Sequence, residues 1–334
     1  MSSEKLLVKG HSIMTKDTNM NDDLQGKFLS GEISREEFWS GINSSLNEIR
    51  RLQGLLLDEN VSIEVSKANL ILNYQIWSNK SIKLVIPKND LRTASFTILA
   101  NGHYESLLEN VIFELSERSK KFLDIGANMG FYSLGASLVN EKLQVLAFEP
   151  NPVIRESLMQ NIELNYVEKN IEIIEFALSN FKGEATFSVP AFTGSGGGSL
   201  RNLHPEEGTP SEFTVEVEKL DNLRKRLNGT DLLKIDVEGA EFQLIRGGME
   251  FILEDRPTIV VELLRKWMKP FQSSPQDVID LLSELNYICF AVSDSNLIPT
   301  SVINDFTIEN NFIFCHKDNL NHLELLTSKC KEDD

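Results

Sequence analysis

From residue 121 onward one pattern repeats. A short apolar run is followed by a turn carrying glycine or an acid, then by a helical stretch. The runs cover residues 121–125, 144–148, 171–176, 231–236 and 258–262. Near-continuous apolar strands alternating with helices predict an α/β fold, a mostly parallel doubly wound sheet covered on both faces. Two strands at 184–189 and 212–217, joined by a Gly/Ser-rich loop, interrupt the alternation. A helix after Pro275 and two closing strands at 287–292 and 311–316 complete it.

Upstream the pattern differs. Residues 1 to about 30 are polar, and Ser34 and Glu37 have capping-box spacing. Phe38, Ile42, Leu46, Ile49, Leu52 and Leu56 follow at intervals of three and four, predicting an amphipathic helix suited to a core or to a second copy of the chain. A β-hairpin is expected over 69–77 and 82–86, and a helix over about 104–118. The expected division is 1–60, 61–118, a core domain at 119–318 and a tail at 319–334.

The net charge of −17 argues against nucleic acid or an anionic membrane as a partner through bulk charge. The three cysteines lie in no metal-binding pattern, the N-terminus has no apolar signal region, and no run is long enough to span a membrane. A soluble cytoplasmic protein is expected.

In such sheets ligands bind beyond the carboxyl ends of the strands. The first strand ends in DIGANMG, with Asp124, Gly126, Asn128 and Gly130. The second ends in Phe148-Glu149-Pro150-Asn151, where an acid can accept hydrogen bonds from both ribose hydroxyls. The glycine turn lacks the middle glycine of the dinucleotide pattern. Asp124 is badly placed for a phosphate and well placed for the ammonium of a methionine moiety. The chemistry favours S-adenosylmethionine over NAD.

The fourth strand ends in LLKIDVEGAE. Its carboxylates Asp236 and Glu238, with Glu262 from the fifth strand, are expected to converge near the transferred group. Three readings are open: a general base with a substrate-orienting acid, a hard-cation site for Mg²⁺ or a similar ion, and capping of the following helix, assigned first to Glu241. No metal ligand is assigned. Lys234 is read as a structural partner or sheet-edge charge. His103 and, less so, His204 are alternative substrate-facing groups. The loop at 193–201 reads as a lid or as a plain connection, with Arg201 a ligand for an anionic group in the lid case. Arg265, Lys266, Trp267 and Lys269 form a basic-aromatic patch suited to an anionic glycan, or an ordinary exposed loop.

DIGANMGFYS, LAFEPNP, NIELN, EFALSN, the stretch at 196–200, LLKIDVEGAE and IVVEL occur in the order of the FkbM-family methyltransferases, which this chain resembles over roughly residues 100–265. The resemblance implies a class I, Rossmann-like methyltransferase sheet of seven strands, one antiparallel, here with an N-terminal helical and hairpin extension. It implies O-methylation, commonly of sugar hydroxyls, with a small-molecule or glycan acceptor. Carried over by position, Asp124, Gly126, Asn128 and Gly130 hold the methionine end. Glu149, with Asn151 beside it, holds the ribose, and Ala177 flanks the adenine. Asp236, Glu238, Glu262 and His103 are the catalytic candidates. An NAD-dependent sugar oxidoreductase and a non-catalytic nucleoside-binding module are the competing functions.

Overall fold

The computed structural model describes residues 27–41, 44, 60–65, 69–87, 93–191, 194–304 and 307–330. Two compact units divide the chain at Leu57 and Asp58. In the first, the Ser34–Glu37 box is formed. The Glu37 amide donates to Ser34 Oγ at 3.2 Å, and the Ser34 amide to Glu37 Oε2 at 2.7 Å. Residues 35–41 are helical. Ile42, Leu46, Ile49, Leu52 and Leu56 lie outside the described residues.

The second unit begins with a three-stranded antiparallel sheet, β1 (Val61–Val65), β2 (Leu70–Gln75) and β3 (Ser81–Ile86). The expected hairpin is β2–β3, and β1 adds a strand beside β2. Helices α1 (Ala94–Asn101) and α2 (Ser106–Glu117) lead into the core. The core runs through β4 (Lys121–Ile125), α3 (Phe131–Val139), β5 (Gln144–Phe148), α4 (Pro152–Asn165) and β6 (Ile171–Ile174). A small side sheet follows: β7 (Ala177–Leu178), β8 (Gly183–Val189) and β9 (Ser211–Glu218). The core resumes with β10 (Leu232–Ile235), α5 (Glu241–Arg246), α6 (Met249–Asp255) and β11 (Thr258–Glu262). It closes with α7 (Pro275–Glu284), β12 (Tyr287–Val292), β13 (Leu297–Thr300), β14 (Asn311–His316) and α8 (Leu320–Ser328).

The main sheet has the order β13-β12-β14-β11-β10-β4-β5-β6. Strands β6, β5, β4, β10 and β11 run parallel, β14 runs against β11, and β12 runs against β14. These seven form the class I methyltransferase arrangement, with one antiparallel strand near the edge. An eighth strand, β13, lies outside it, antiparallel to β12.

Every residue of β10 is buried, and β4 and β11 are nearly so. One face of the sheet carries Leu123, Ile125, Leu233, Ile235, Ile259 and Val261 into a large apolar cluster, with α5, α6 and α7. The alternation of strand side chains sends Asp124 and Lys234 to the other face. They are direct neighbours in register there. Lys234 is therefore a charge inside a central strand, not at a sheet edge. Among the described residues no helix is long and apolar enough to cross a membrane.

Candidate active site

The carboxyl ends of β4, β5, β10 and β11 open into one cavity of about 1160 Å³, counting the space open to solvent. At its β4 wall the chain turns back through Gly126, with φ +80°. The Gly126 and Ala127 amides donate to the Phe148 carbonyl at 3.0 Å each. A Cβ on Gly126 would meet the Asp236 carbonyl oxygen at 1.7 Å, so only glycine lets the β4 and β10 turns pass this closely.

Glu149 ends β5, buried and part of the wall. Its Oε2 accepts from the Asn128 amide and its Oε1 from the Asn151 amide, both at 2.9 Å. Burial raises its pKa to about 7, outweighing these two hydrogen bonds, which pull it down. Asn128 is in the left-handed region, φ +51°, and its side chain accepts from the Met129 amide at 2.7 Å. Phe148, Phe176, Ala177 and Leu178 give the neighbouring wall an apolar face. Ala177 does not end the third core strand: β6 stops at Ile174, and Ala177 opens β7 of the side sheet.

Four expected positions lie off the wall. Asp124 is on the helix-covered face of β4, where Ser133 Oγ donates to its Oδ2 at 2.6 Å. Burial raises its pKa, and the Lys234 ammonium opposes the rise. Gly130 starts α3 at φ +91°, where a Cβ would strike Leu158 of α4 at 2.4 Å, so its need is packing. Asn151 is the N-cap of α4, its side chain accepting from the Val153 amide at 3.0 Å ahead of Pro152. His103 is exposed, because the chain turns its neighbours Tyr104 and Glu105 into the cavity instead.

The three acids do converge. One carboxylate oxygen each from Asp236, Glu238 and Glu262 lies within 4.8 Å of the others, and all three residues line the cavity. Glu238 is held at φ +51°, a conformation that costs free energy and persists where the surroundings enforce it. Ser199 Oγ donates to the Glu238 carbonyl at 2.7 Å. Glu241 opens α5, whose N-cap is Ala240, and its side chain holds the preceding turn: its Oε1 accepts from the Gly239 amide at 2.9 Å and the Val237 amide at 3.3 Å, and burial raises its pKa to about 7. Burial raises Glu262 well above the carboxylate range, and the charges of Asp236 and Glu238 add to the rise.

Four wall residues were not among the candidate site residues. Lys234 Nζ bonds Asp236 Oδ2 at 3.0 Å and lies 5.0 Å from the Tyr132 ring centroid. Glu105, at φ +43°, accepts from Tyr132 OH at 2.5 Å and from Asn311 Nδ2 at 3.3 Å. Tyr104 and Tyr132 have pKa values pushed well above the ordinary phenol by burial and by the charge of Glu105. The sequence cue was the left-handed turn ahead of α2, in Gly-His-Tyr-Glu, whose histidine drew the attention that belongs to its two successors.

The glycine loop closes part of the mouth with Gly196, Gly198 and Leu200. Arg201 points away, its guanidinium 5.2 Å from the Phe271 ring centroid. Lys266 lies over Trp267 at 4.2 Å, and the buried His204 ring packs on the same indole at 4.6 Å. None of these four lines the cavity.

Residues 124–289 match the family model described as the methyltransferase FkbM domain. The chain is 29% identical over 171 residues to the methyltransferase sdnD of Sordaria araneosa, across 42% of this chain and 64% of that protein. It is 25% identical over 174 residues to the hexuronic acid methyltransferase AglP of Haloferax volcanii, across 52% of this chain and 66% of that protein. It thus spans just under two thirds of the length of these curated relatives. A solved FkbM methyltransferase from Methylobacillus flagellatus superposes with a TM-score of 0.35 at 16% identity, covering 59% of this chain and 43% of that one. The matched segment starts on Asp124, takes in both the Glu149 wall and the acid cluster, and ends in β12; residues 124–289 carry a methyltransferase FkbM domain.

Proposed function

We propose that the protein is an S-adenosylmethionine-dependent O-methyltransferase whose acceptor is a carbohydrate hydroxyl. One observation carries the reading: a single cavity has a ribose-type acid, Glu149, in one wall and three mutually close carboxylates in another. The donor set suits the cofactor. Glu149 keeps lone pairs for two hydroxyls after meeting two amides. The Phe148–Phe176 edge pair beside Ala177 and Leu178 offers an adenine an apolar slot. Glu105 and Asp236 offer negative charge to a cationic methionine end.

When bound, the cofactor supplies an electrophilic methyl group. The chain's residues supply the rest. Asp236, held by Lys234 at 3.0 Å, orients the acceptor hydroxyl. Glu262 takes its proton, since a base with raised proton affinity is matched to a weakly acidic alcohol. The glycine loop, tied through Ser199 to the acid turn, excludes water while the reactants are held in line. The identity of AglP as a hexuronic acid methyltransferase supports the carbohydrate acceptor.

Calorimetry with S-adenosylmethionine, S-adenosylhomocysteine and NAD tests the reading. The expected result is binding of both adenosyl ligands, none of NAD, and at least about tenfold weakening in Glu149→Ala through loss of charge-assisted hydrogen bonds. Binding of NAD alone would reassign the cavity to hydride transfer.

A further inference from the structure

We infer that Lys234 is the resident cation of the acid cluster, filling the charge-balancing place that a divalent ion would otherwise take. The inference rests on the functional reading above only for its consequence, a methyl transfer that runs without a metal; the placement itself does not depend on it.

The spacing of Asp236, Glu238 and Glu262 is what a hard cation needs, but the set offers three carboxylates where magnesium and calcium take six or more oxygens. One of those carboxylates is already engaged by an ammonium at 3.0 Å. That ammonium does not swing clear. It rises from a central strand with 7% of its side chain exposed, between β4 and β11, with Tyr132 at 5.0 Å. A divalent ion on Asp236 would lie a few ångströms from it, in a buried site where like charges repel strongly.

The groups facing Lys234 come from several elements: Asp124 on β4, Glu105 ahead of α2, Tyr132 on α3, Asp236 beyond β10 and Glu262 at the end of β11. Burial alone would lower the lysine's proton affinity. Asp236, Asp124 and Glu105 outweigh it and hold the ammonium charged. The cation also breaks the symmetry of the cluster. It bonds Asp236 directly, and it opposes but does not overcome the burial and the like charges that raise Glu262. Lys234 is thus a positioning residue: it holds the Asp236 carboxylate directly and leaves Glu262 as the acid of the cluster with raised proton affinity.

Two readouts test this on the full chain without turnover. Manganese(II) binding is followed by electron paramagnetic resonance in wild type, Lys234→Met and Lys234→Met combined with Glu262→Gln. The expected wild type binds manganese more weakly than about 1 mM, the weak end for carboxylate sites. Lys234→Met gains at least tenfold in manganese affinity, and the added Glu262→Gln removes the gain. The Glu262 carboxyl is titrated by infrared difference spectroscopy, with Glu262→Gln identifying the band. Lys234→Met raises its midpoint by about one unit or more, as loss of a nearby opposite charge should. Lys234→Arg restores it. Binding of S-adenosylhomocysteine and thermal melts check each variant's fold, and Lys234→Gln, which also removes the charge, carries the test where Lys234→Met does not fold. Micromolar manganese binding to wild type that disappears in Asp236→Asn would overturn the inference. So would an unmoved Glu262 midpoint in a folded lysine variant. Absence of cofactor binding by folded wild type would sink the methyltransferase reading and leave the manganese result to decide this one.

Discussion

Glu109 shows how a single side chain ties the small N-terminal sheet to the core. It is buried on α2, and Tyr74 OH of β2 donates to it at 3.2–3.3 Å. Burial raises its pKa from 4.5 to about 8, against the pull of that hydrogen bond. The folded state therefore holds a proton that the unfolded chain gives up near 4.5. The stability from Glu109 is full below that pH and is lost as pH rises to about 8, a change on the order of a few kcal/mol. Glu149 and Glu241, at about 7, contribute in the same direction over a narrower window. Urea denaturation at stepped pH should show wild-type stability falling across this range. Glu109→Gln should flatten the fall and be more stable than wild type at pH 8; an unchanged slope would refute the assignment. At this scale the sequence revealed residue types better than directions. Asp236, Glu238 and Glu262 announced themselves as acids ending apolar strands. Asp124 and Asn151 had the right types in the right places, but a strand's alternation and a helix cap turned them from the cavity. Of the two readings of Lys234, structural partner and sheet-edge charge, the second fails because one strand's sequence does not reveal whether it lies at the edge or the centre of its sheet.

Helix α4 carries the clearest element-level economy. Asn161 and Asn165, four residues apart and so on one helix face, bind the backbone of β3. Asn161 Oδ1 accepts from the Val85 amide at 2.8 Å, and Asn165 accepts from the Lys83 amide at 2.9 Å and donates to its carbonyl at 2.7 Å. Asn161 Nδ2 also reaches the Met129 carbonyl in the cofactor turn, at 2.8 Å. A strand edge that would otherwise need another strand is satisfied by two side chains. Asn161→Ala should leave a buried amide and a buried carbonyl without these partners and cost about 2–4 kcal/mol, measured by chemical denaturation. It should also weaken cofactor binding, since the turn at 126–130 loses a tether; a loss under about 0.5 kcal/mol, the size of a neutral surface change, would argue against this role. Long apolar runs made β4, β5, β10, β11, β12 and β14 legible. Strand β13 was not, because Leu297–Thr300 includes Pro299 and is largely exposed at the sheet margin, which leaves little pattern to read. Strand β1 was missed for a similar reason, with Ser62, Glu64 and Val65 all exposed.

At the scale of the whole molecule, the sheet β1–β3 belongs to the same compact unit as the methyltransferase core, while residues 1–57 form the other unit. The sequence suggested divisions at 60 and 118. Across the second of these, Ile82 and Leu84 of β3 are fully buried and α3 and α4 pack on that strand. A chain of residues 58–334 should keep the melting profile of its core and its cofactor affinity. A chain starting at residue 93 should lose both, as read by circular dichroism and calorimetry; equal behaviour of the two would show the small sheet to be dispensable. The asparagine pair on α4 also bears on portability. A catalytic domain grafted from this protein into another, if cut to the matched span 124–289, leaves behind the strand that its own helix is built to grip. Successful chimaeras should be those that carry the small sheet along, or whose recipient supplies an extended segment for Asn161 and Asn165 to hold.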